Sequence, residues 1–281
     1  MDAKYEFYLE KLKLNIKNIL NKFYKNKNLE LMSIKSKNRE YLQSIPYFIT
    51  QDIYATNDYG IPPGIYKNIN KLIDNSETYT DLLAFLIDNL FGKSINYLET
   101  GVSILKNYLQ LDNFLENSKM FAYEIEDVNP LFADLFTTRD RMKIHQGKNT
   151  LNYFKGDLMN KSDNNYFNDK LDNINFDVIF SDAHHQHWSL IWEYKKILKP
   201  NLSDNFLIYF DDAHFPNMED AILDIKADLE YKYTKVYGVS YFVNGWVGQY
   251  EKMHKNIVLS TFDVHKLLIK EKIKLVKLKK L

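Results

Sequence analysis

The 281-residue chain contains no cysteine, which excludes disulfide bonds, thiolate zinc sites and cysteine nucleophiles. It also lacks any apolar run that approaches the roughly 18 residues of a membrane-spanning helix. Residues 1–4, with the sequence MDAK, do not have the character of a signal peptide. We therefore expect a cytoplasmic protein that has no membrane partner.

An excess of charge of either sign is absent as well. The 37 basic and 37 acidic side chains cancel, so no overall field would attract the protein to a nucleic acid. The nine glycines do not form the pattern Gly-x-Gly-x-x-Gly, which would supply the backbone amides that hold a pyrophosphate. We expect neither a nucleic-acid partner nor a phosphate cradle.

The first part of the chain is predicted to be a helical extension. Apolar and aromatic residues recur at three- and four-residue spacing over residues 1–45, as in amphipathic helices. Residues 45–75 hold three of the six prolines and several tyrosines, which predicts an ordered aromatic loop. We assign residues 1–78 to this extension. Residues 264–281 form a lysine-rich tail whose alternation fits either an amphipathic helix or an edge strand.

Between these segments, residues 79–263 alternate between strand and helix patterns. Helices are predicted at 80–91, 104–116, 130–141, 188–198 and 218–231, and residues 161–175 are predicted to be a surface loop. Strands are predicted at 95–99, 119–125, 152–155, 176–181, 206–210, 235–243 and 256–261. Alternation of this kind is typical of βαβ units. It predicts an α/β domain with a doubly wound, mostly parallel, seven-stranded sheet.

Acidic residues follow five of these predicted strands. They are Glu99, Glu124, Asp157, Asp182, and the pair Asp211 and Asp212. Ligands of open α/β sheets bind beyond the carboxyl ends of the strands. Crowded carboxylates repel one another, and a cationic ligand or a metal ion would relieve this repulsion. The strand ends therefore predict a binding crevice.

The order and spacing of these motifs resemble a known family. The motifs are ETGVS at 99–103, YEI at 123–125, GD at 156–157, FDVIFSDAH at 176–184 and IYFDD at 208–212. Over about residues 80–261 the chain resembles class I S-adenosylmethionine-dependent methyltransferases. It is most similar to the metal-dependent small-molecule O-methyltransferases of the catechol and macrocin types. The resemblance implies a Rossmann-like fold.

The resemblance also implies a cofactor and a metal ion. S-adenosylmethionine would be bound by Glu99, Thr100, Gly101, Ser103, Glu124, Gly156, Asp157 and Asp182. Glu124 would hold the ribose hydroxyls, with Glu126 as a competing candidate, and Asp157 would accept from the adenine amino group. Asp182, Asp211 and Asp212 match the metal-binding triad, and three oxygen ligands suit Mg²⁺.

The expected reaction is methylation of a small hydroxylated acceptor, such as a sugar or a natural product. Asp182 would contribute to catalysis through the metal, and His184, His185 or His214 would be the base that removes the hydroxyl proton. These three candidates remain open. Trp246 and Tyr59 are predicted to contact the acceptor. Members of this family often form dimers through added helices, which makes the N-terminal helices a candidate homodimer interface.

One position departs from the family pattern. Leu105 occupies the place of a second glycine in the cofactor turn, and its side chain is expected to narrow the approach to the methionine group. Two alternatives therefore stay open beside the methyltransferase. One is a non-catalytic or metal-independent S-adenosylmethionine-binding protein. The other is a nicotinamide-dependent oxidoreductase, against which the absent glycine pattern weighs.

Overall fold

A computed structural model describes residues 78–103, 105–128, 130–245 and 255–270 of the protein. The predicted helical extension before residue 78 and the end of the tail after residue 270 lie outside these residues. So do two predicted acceptor contacts, Tyr59 and Trp246. The boundaries assigned to the extension and the tail stay predictions.

The described residues form six α-helices and nine β-strands. In chain order these are α1 Tyr79–Leu90, β1 Asn96–Thr100, α2 Lys106–Phe114, β2 Lys119–Glu124, β3 Thr137–Arg139, β4 Met142–Gln146, β5 Thr150–Lys155, α3 Lys161–Lys170, β6 Phe176–Ser181, α4 His187–Glu193, β7 Leu202–Phe210, α5 Met218–Leu229, β8 Tyr237–Phe242, β9 Lys255–Ser260 and α6 Val264–Lys270. A 3₁₀ helix spans Pro130–Leu135, and α4 continues into a π-helical turn at Tyr194–Leu198. Within these ranges no helix has the length and apolar character needed to cross a bilayer.

The nine strands form one sheet in the order β3-β4-β5-β2-β1-β6-β7-β9-β8. The five central strands, from β5 to β7, are parallel to one another. The hairpin of β3 and β4 at one side, and the pair β9 and β8 at the other, run antiparallel to their neighbours. The chain order reverses between β1 and β6, and this is the switch point at which open α/β sheets bind their ligands.

Alternate side chains of the central strands enter two separate cores, one on each face of the sheet. In β1, Tyr97 packs with α1 and α2 on one face, while Leu98 packs with α3, α4 and α5 on the other. Both side chains are fully buried. Burial of both faces explains the nearly continuous apolar sequence of these strands. The predicted doubly wound α/β fold is thus confirmed.

The sheet has two more strands than predicted, because residues 130–141 do not form the expected helix. After the 3₁₀ helix, residues 137–139 become β3, which turns back into β4 at Asp140. Asp140 has φ +58°, a left-handed conformation that suits the tip of a tight hairpin. Thr137 and Thr138 are β-branched and favour the strand. The resulting hairpin extends the sheet beyond β5.

The predicted surface loop at 161–175 is also wrong, since its first ten residues form α3. Asn160 caps this helix by accepting a hydrogen bond from the backbone N–H of Ser162 at 2.9 Å. Phe167 is fully buried and contacts the rings of Tyr123 and Phe154. Packing of this one aromatic residue stabilises a helix whose other residues are mostly polar.

Candidate functional site

The carboxyl ends of β1, β2, β5 and β6 enclose a narrow cleft. Its lining residues are Gly101, Tyr123, Glu124, Ile125, Gly156, Asp157, Leu158, Ala183 and His184. Four of the predicted cofactor residues, Gly101, Glu124, Gly156 and Asp157, therefore lie around one space. The cleft itself is small, with a volume of about 70 Å³.

Gly101 forms the floor of this cleft, and its position requires glycine. Its φ is +76°, and a Cβ atom there would lie 2.5 Å from the carbonyl oxygen of Asp182 and 2.6 Å from the Cα of Ala183. The turns that follow β1 and β6 are thus packed backbone to backbone. A side chain at this position would separate them.

Glu124 links the cofactor turn to the second strand. Its Oε2 accepts a hydrogen bond from the backbone N–H of Ser103 at 2.7 Å, and its Oε1 accepts from the N–H of Ile125 at 2.8 Å. The residue at the N-terminus of α2 is Leu105. The Glu124 carboxylate thus fixes the turn that follows β1.

Leu105 does not enter the cleft. Its side chain is fully buried in the core beside α1 and α2, although its backbone is left-handed, with φ +65°. The structure thus places the Leu105 side chain in the core, and it is not among the residues that line the cleft. The cost of this residue lies in its backbone conformation, which glycine adopts more readily.

Glu99 and Thr100, which were also predicted to bind the cofactor, are fully buried in β1. The Oε2 of Glu99 accepts hydrogen bonds from the hydroxyl of Tyr97 at 2.6 Å and the amide of Asn107 at 2.9 Å. This carboxylate holds α2 against β1. Neither Glu99 nor Thr100 is among the residues that line the cleft.

Beside the cleft, Asp182, His185 and Asp212 bring their ligand atoms together. One carboxylate or imidazole atom from each residue lies within 4.8 Å of the other two. His185 Nε2 lies 3.6 Å from Asp212 Oδ2. Two carboxylates and an imidazole in this arrangement are able to bind a divalent cation. Two members of the predicted metal triad are in this group, and His185 is a member that the sequence suggested only as a base.

Asp211, the third residue of the predicted triad, lies apart from this group. It is 3% exposed, and its Oδ1 accepts hydrogen bonds from the side-chain amide of Asn256 and the backbone N–H of Asp212. The hydroxyl of Tyr209 in turn donates to Asn256 Oδ1 at 2.8 Å. Asn256 was missed from the sequence, where the only signal is a polar residue at the start of an apolar strand.

Phe215 packs between two of the three candidate bases. Its ring stacks on His185 at 5.0 Å and an interplanar angle of 11°, and it lies 4.6 Å from the ring of His214. His214 Nδ1 is 3.6 Å from Asp212 Oδ1. Phe215 therefore orients two imidazoles on either side of Asp212. His184 instead lines the cofactor cleft, and burial lowers its pKa, which favours the neutral imidazole.

A buried acidic residue that the sequence analysis did not identify, Glu193, lies beneath the site. Glu193, the last residue of α4, is fully buried. Its Oε1 accepts hydrogen bonds from the hydroxyls of Thr100 at 2.6 Å and Ser181 at 3.0 Å. Burial raises the pKa of Glu193 to about 7, although both hydrogen bonds oppose this shift. Its only sequence signal is an acidic residue within an otherwise apolar stretch of helix.

A larger cleft adjoins the first one on the side of the β3–β4 hairpin. It has a volume of about 480 Å³ and shares Ile125, Gly156 and Asp157 with the smaller cleft. Arg141, at the tip of the hairpin, donates to Asp163 at 2.6 Å and lies over the ring of Tyr166. The hairpin that the sequence did not predict thus forms one wall of the space beside Asp157.

Comparisons with known proteins give structural neighbours and no sequence relatives. No protein-family model matches the chain, and no curated protein matches it significantly in sequence. Its fold is similar to that of a protein provisionally classed as a caffeoyl-CoA O-methyltransferase from Staphylococcus aureus, with 12% identity and a TM-score of 0.46 over 79% of this chain and 98% of that one. It is also similar to the ribosomal protein L11 methylase of Lactobacillus delbrueckii subsp. bulgaricus, with 14% identity and a TM-score of 0.40 over 65% and 78%.

A third neighbour is spermidine synthase from Thermotoga maritima, with 13% identity and a TM-score of 0.40. The match covers 72% of this chain and 66% of that one, so this chain spans just under two thirds of that protein. At such low identity a shared fold does not identify a reaction. The function has to be inferred from the residues of the site.

Proposed function

We propose that this protein is an S-adenosylmethionine-dependent methyltransferase that methylates a hydroxyl oxygen of a small molecule with the help of a divalent cation. The observation that carries the proposal is the juxtaposition of two carboxylates and a left-handed glycine around one cleft. Glu124 and Asp157 lie at the carboxyl ends of the neighbouring strands β2 and β5. Gly101 lines the same cleft and packs on the backbone of Asp182, which belongs to the group with His185 and Asp212.

The chemistry of the cleft suits a nucleoside that carries no phosphate. Glu124 would accept hydrogen bonds from a ribose diol, and Asp157 would accept from an adenine amino group. The turn after β1 has a single glycine and offers few free amides, which is poor for a pyrophosphate. This distinction favours S-adenosylmethionine over a nicotinamide dinucleotide.

The space available bears on how the nucleoside would lie. A volume of about 70 Å³ is well below the roughly 300 Å³ at which small-molecule sites begin. The adjoining cleft of about 480 Å³ has that size and shares Asp157 with the smaller one. We therefore expect the adenosine group to occupy parts of both clefts, with Ile125 between them.

The donor set of Asp182, His185 and Asp212 fits a divalent cation. A bound cation would lower the pKa of an acceptor hydroxyl and fix its direction. Three carboxylates would favour Mg²⁺. A donor set that includes an imidazole nitrogen also accommodates a transition-metal ion such as Mn²⁺. The burial-lowered pKa of His184 keeps this imidazole neutral at pH 7, so it is able to accept a proton. Positioning of the acceptor oxygen would supply most of the remaining catalysis.

The test is the binding of S-adenosylhomocysteine, measured by isothermal titration calorimetry. The parent protein is expected to bind it, and Glu124→Gln and Asp157→Asn are expected to weaken binding at least about tenfold, since each removes an acceptor for a ligand donor. Asp204→Asn, an exposed carboxylate on β7, is the matched control and should bind like the parent. If the parent protein does not bind S-adenosylhomocysteine but NADH raises its melting temperature, the result would support the oxidoreductase instead.

A further inference from the structure

One buried carboxyl group holds together the two turns that form the site. Glu193 Oε1 accepts from Thr100 Oγ1 at 2.6 Å and from Ser181 Oγ at 3.0 Å. Thr100 and Ser181 are the last residues of β1 and β6, and they are direct partners in the register of these parallel strands. A single oxygen atom is thus shared by the ends of the two strands at the switch point of the sheet.

The two residues that follow these hydroxyls are functional positions. Thr100 precedes Gly101, which lies in the turn after β1. Ser181 precedes Asp182, which belongs to the group of Asp182, His185 and Asp212. The backbone N–H of Asp182 donates to the carbonyl of Thr100 at 3.0 Å. Because Gly101 also packs directly on the Asp182 backbone, a shift of either strand end would move both turns.

The second carboxylate oxygen of Glu193 makes this arrangement unfavourable for the stability of the folded state. Glu193 Oε2 is buried and accepts no hydrogen bond from any residue that the structure describes. A buried polar atom without a partner destabilises the folded state. Replacement of a buried polar group and its partners by apolar groups of the same shape is often neutral or stabilising. Unfavourable buried groups of this kind concentrate at functional sites.

We propose that Glu193 is a positioning residue: it sets the relative placement of the Gly101 turn and Asp182, and so couples cofactor binding to cation binding. The proposal rests on the proposed function for the identity of the two ligands. It differs from that function in needing no contact between Glu193 and either ligand. Its prediction is that both affinities change together when Glu193 is altered.

The experiment compares Glu193→Ala, Glu193→Gln and the parent in three measurements. These are S-adenosylhomocysteine binding by calorimetry, Mn²⁺ binding by electron paramagnetic resonance, and hydrogen–deuterium exchange at residues 99–103 and 181–185. Glu193→Ala is expected to weaken both ligands at least about tenfold, as supporting residues around metal sites do, and to speed exchange at both turns. Glu193→Gln keeps one oxygen acceptor and is expected to stay within about threefold of the parent.

Asn149→Ala is the control for a general loss of stability. Asn149 is 2% exposed and its amide donates to the carbonyl of Leu115 at the opposite end of the sheet, so its loss destabilises the fold without touching the site. This variant should bind both ligands like the parent. If it weakens them as much as Glu193→Ala does, or if Glu193→Ala binds normally and exchanges normally, the positioning role is overturned. If the parent protein binds Mn²⁺ but not S-adenosylhomocysteine, the proposed function is refuted. The Mn²⁺ affinity and the hydrogen–deuterium exchange of the Glu193 variants would still test the positioning role of Glu193.

Discussion

The side-chain amide of Asn256 donates a hydrogen bond to the buried carboxylate of Asp211. The two residues lie on neighbouring antiparallel strands, at the end of β7 and in β9. This bond stabilises a carboxylate inside the protein, and Asp211 is not in the group of Asp182, His185 and Asp212. Two adjacent aspartates, which look equivalent in the sequence, thus have different environments.

Replacing Asn256 with alanine should therefore destabilise the protein by about 1–3 kcal/mol, because a buried carboxylate loses one of its hydrogen-bond donors. The hydroxyl of Tyr209 loses its acceptor in the same variant. Urea unfolding measures the change. Asn205→Ala, an exposed amide on β7, is the control and should change stability by less than about 0.5 kcal/mol. Equal stability of the two variants would mean that Asp211 does not depend on Asn256.

Gly101 and Gly92 provide a matched test of the contact between the two turns. Both have a left-handed backbone, with φ +76° and φ +78°, so alanine is strained at either position. A Cβ atom at Gly92 would meet no atom of the described residues within 4 Å, whereas one at Gly101 would meet the Asp182 carbonyl oxygen at 2.5 Å. Gly92→Ala should cost about 1 kcal/mol, which is the strain of the backbone alone. Gly101→Ala should cost at least about twice as much in thermal unfolding.

Leu105 occupies the N-cap position of α2, where glycine is expected to be more favourable than alanine. The residue stands at the N-terminus of α2 with φ +65°, and its side chain is fully buried. Both Leu105→Ala and Leu105→Gly lose apolar burial worth about 2–5 kcal/mol. Glycine recovers about 1 kcal/mol of backbone strain that alanine retains. Urea unfolding should show Leu105→Gly to be the more stable of the two, and the opposite order would contradict the left-handed backbone.

Glu193 should make the stability of the protein depend on pH. Its pKa is about 7 in the folded protein, above its ordinary value of 4.5, so the folded state holds a proton that the unfolded state releases. The stability is therefore fully present below about pH 4.5 and falls as the pH rises through 7. Between pH 5 and pH 8 this group should remove on the order of 2–3 kcal/mol. Urea unfolding of the parent and of Glu193→Gln at both pH values measures this contribution as the difference in their free energies of unfolding. If that difference is the same at both pH values, the raised pKa of Glu193 is contradicted.

His185 and His187 separate cation binding from a general effect of imidazole. His185 belongs to the group with Asp182 and Asp212, while His187 lies 3.1 Å from Asp224 on α5. His185→Ala should weaken Mn²⁺ binding by about tenfold or more, since it removes a nitrogen ligand. His187→Ala should leave it unchanged. Nitrogen hyperfine coupling in the Mn²⁺ spectrum, present in the parent and lost only in His185→Ala, would identify the imidazole directly.

The sequence contained enough to predict the central strands and most of the helices. These elements are apolar runs that end at glycine, proline or an acidic residue, and burial on both faces leaves a strong pattern. The β3–β4 hairpin was missed because its first strand is fully exposed and carries no apolar pattern. Helix α3 was missed because only Asn164 and Phe167 among its residues are buried. Weak patterns of this kind acquire their structure from tertiary contacts.

The site was predictable to the extent that strand ends define it. The rule that ligands bind beyond the carboxyl ends located Gly101, Glu124 and Asp157 around one cleft. The rule does not tell which of the two adjacent aspartates lies beside Asp182 and His185, whereas Asp211 instead bonds to Asn256, which is 45 residues away in the chain. The hidden carboxyl of Glu193 depends likewise on packing between a helix and two strand ends.

The β3–β4 hairpin also changes what the outside of the sheet presents to other molecules. Without it, β5 would be the last strand on this side and would offer six residues of backbone for pairing with another chain. Among the described residues the hairpin instead ends the sheet in β3, which has three residues, all exposed, and includes Arg139. A short, charged edge gives an incoming strand few hydrogen bonds and an unfavourable neighbour. The segment that borders the larger cleft thus also protects the protein against edge-to-edge aggregation.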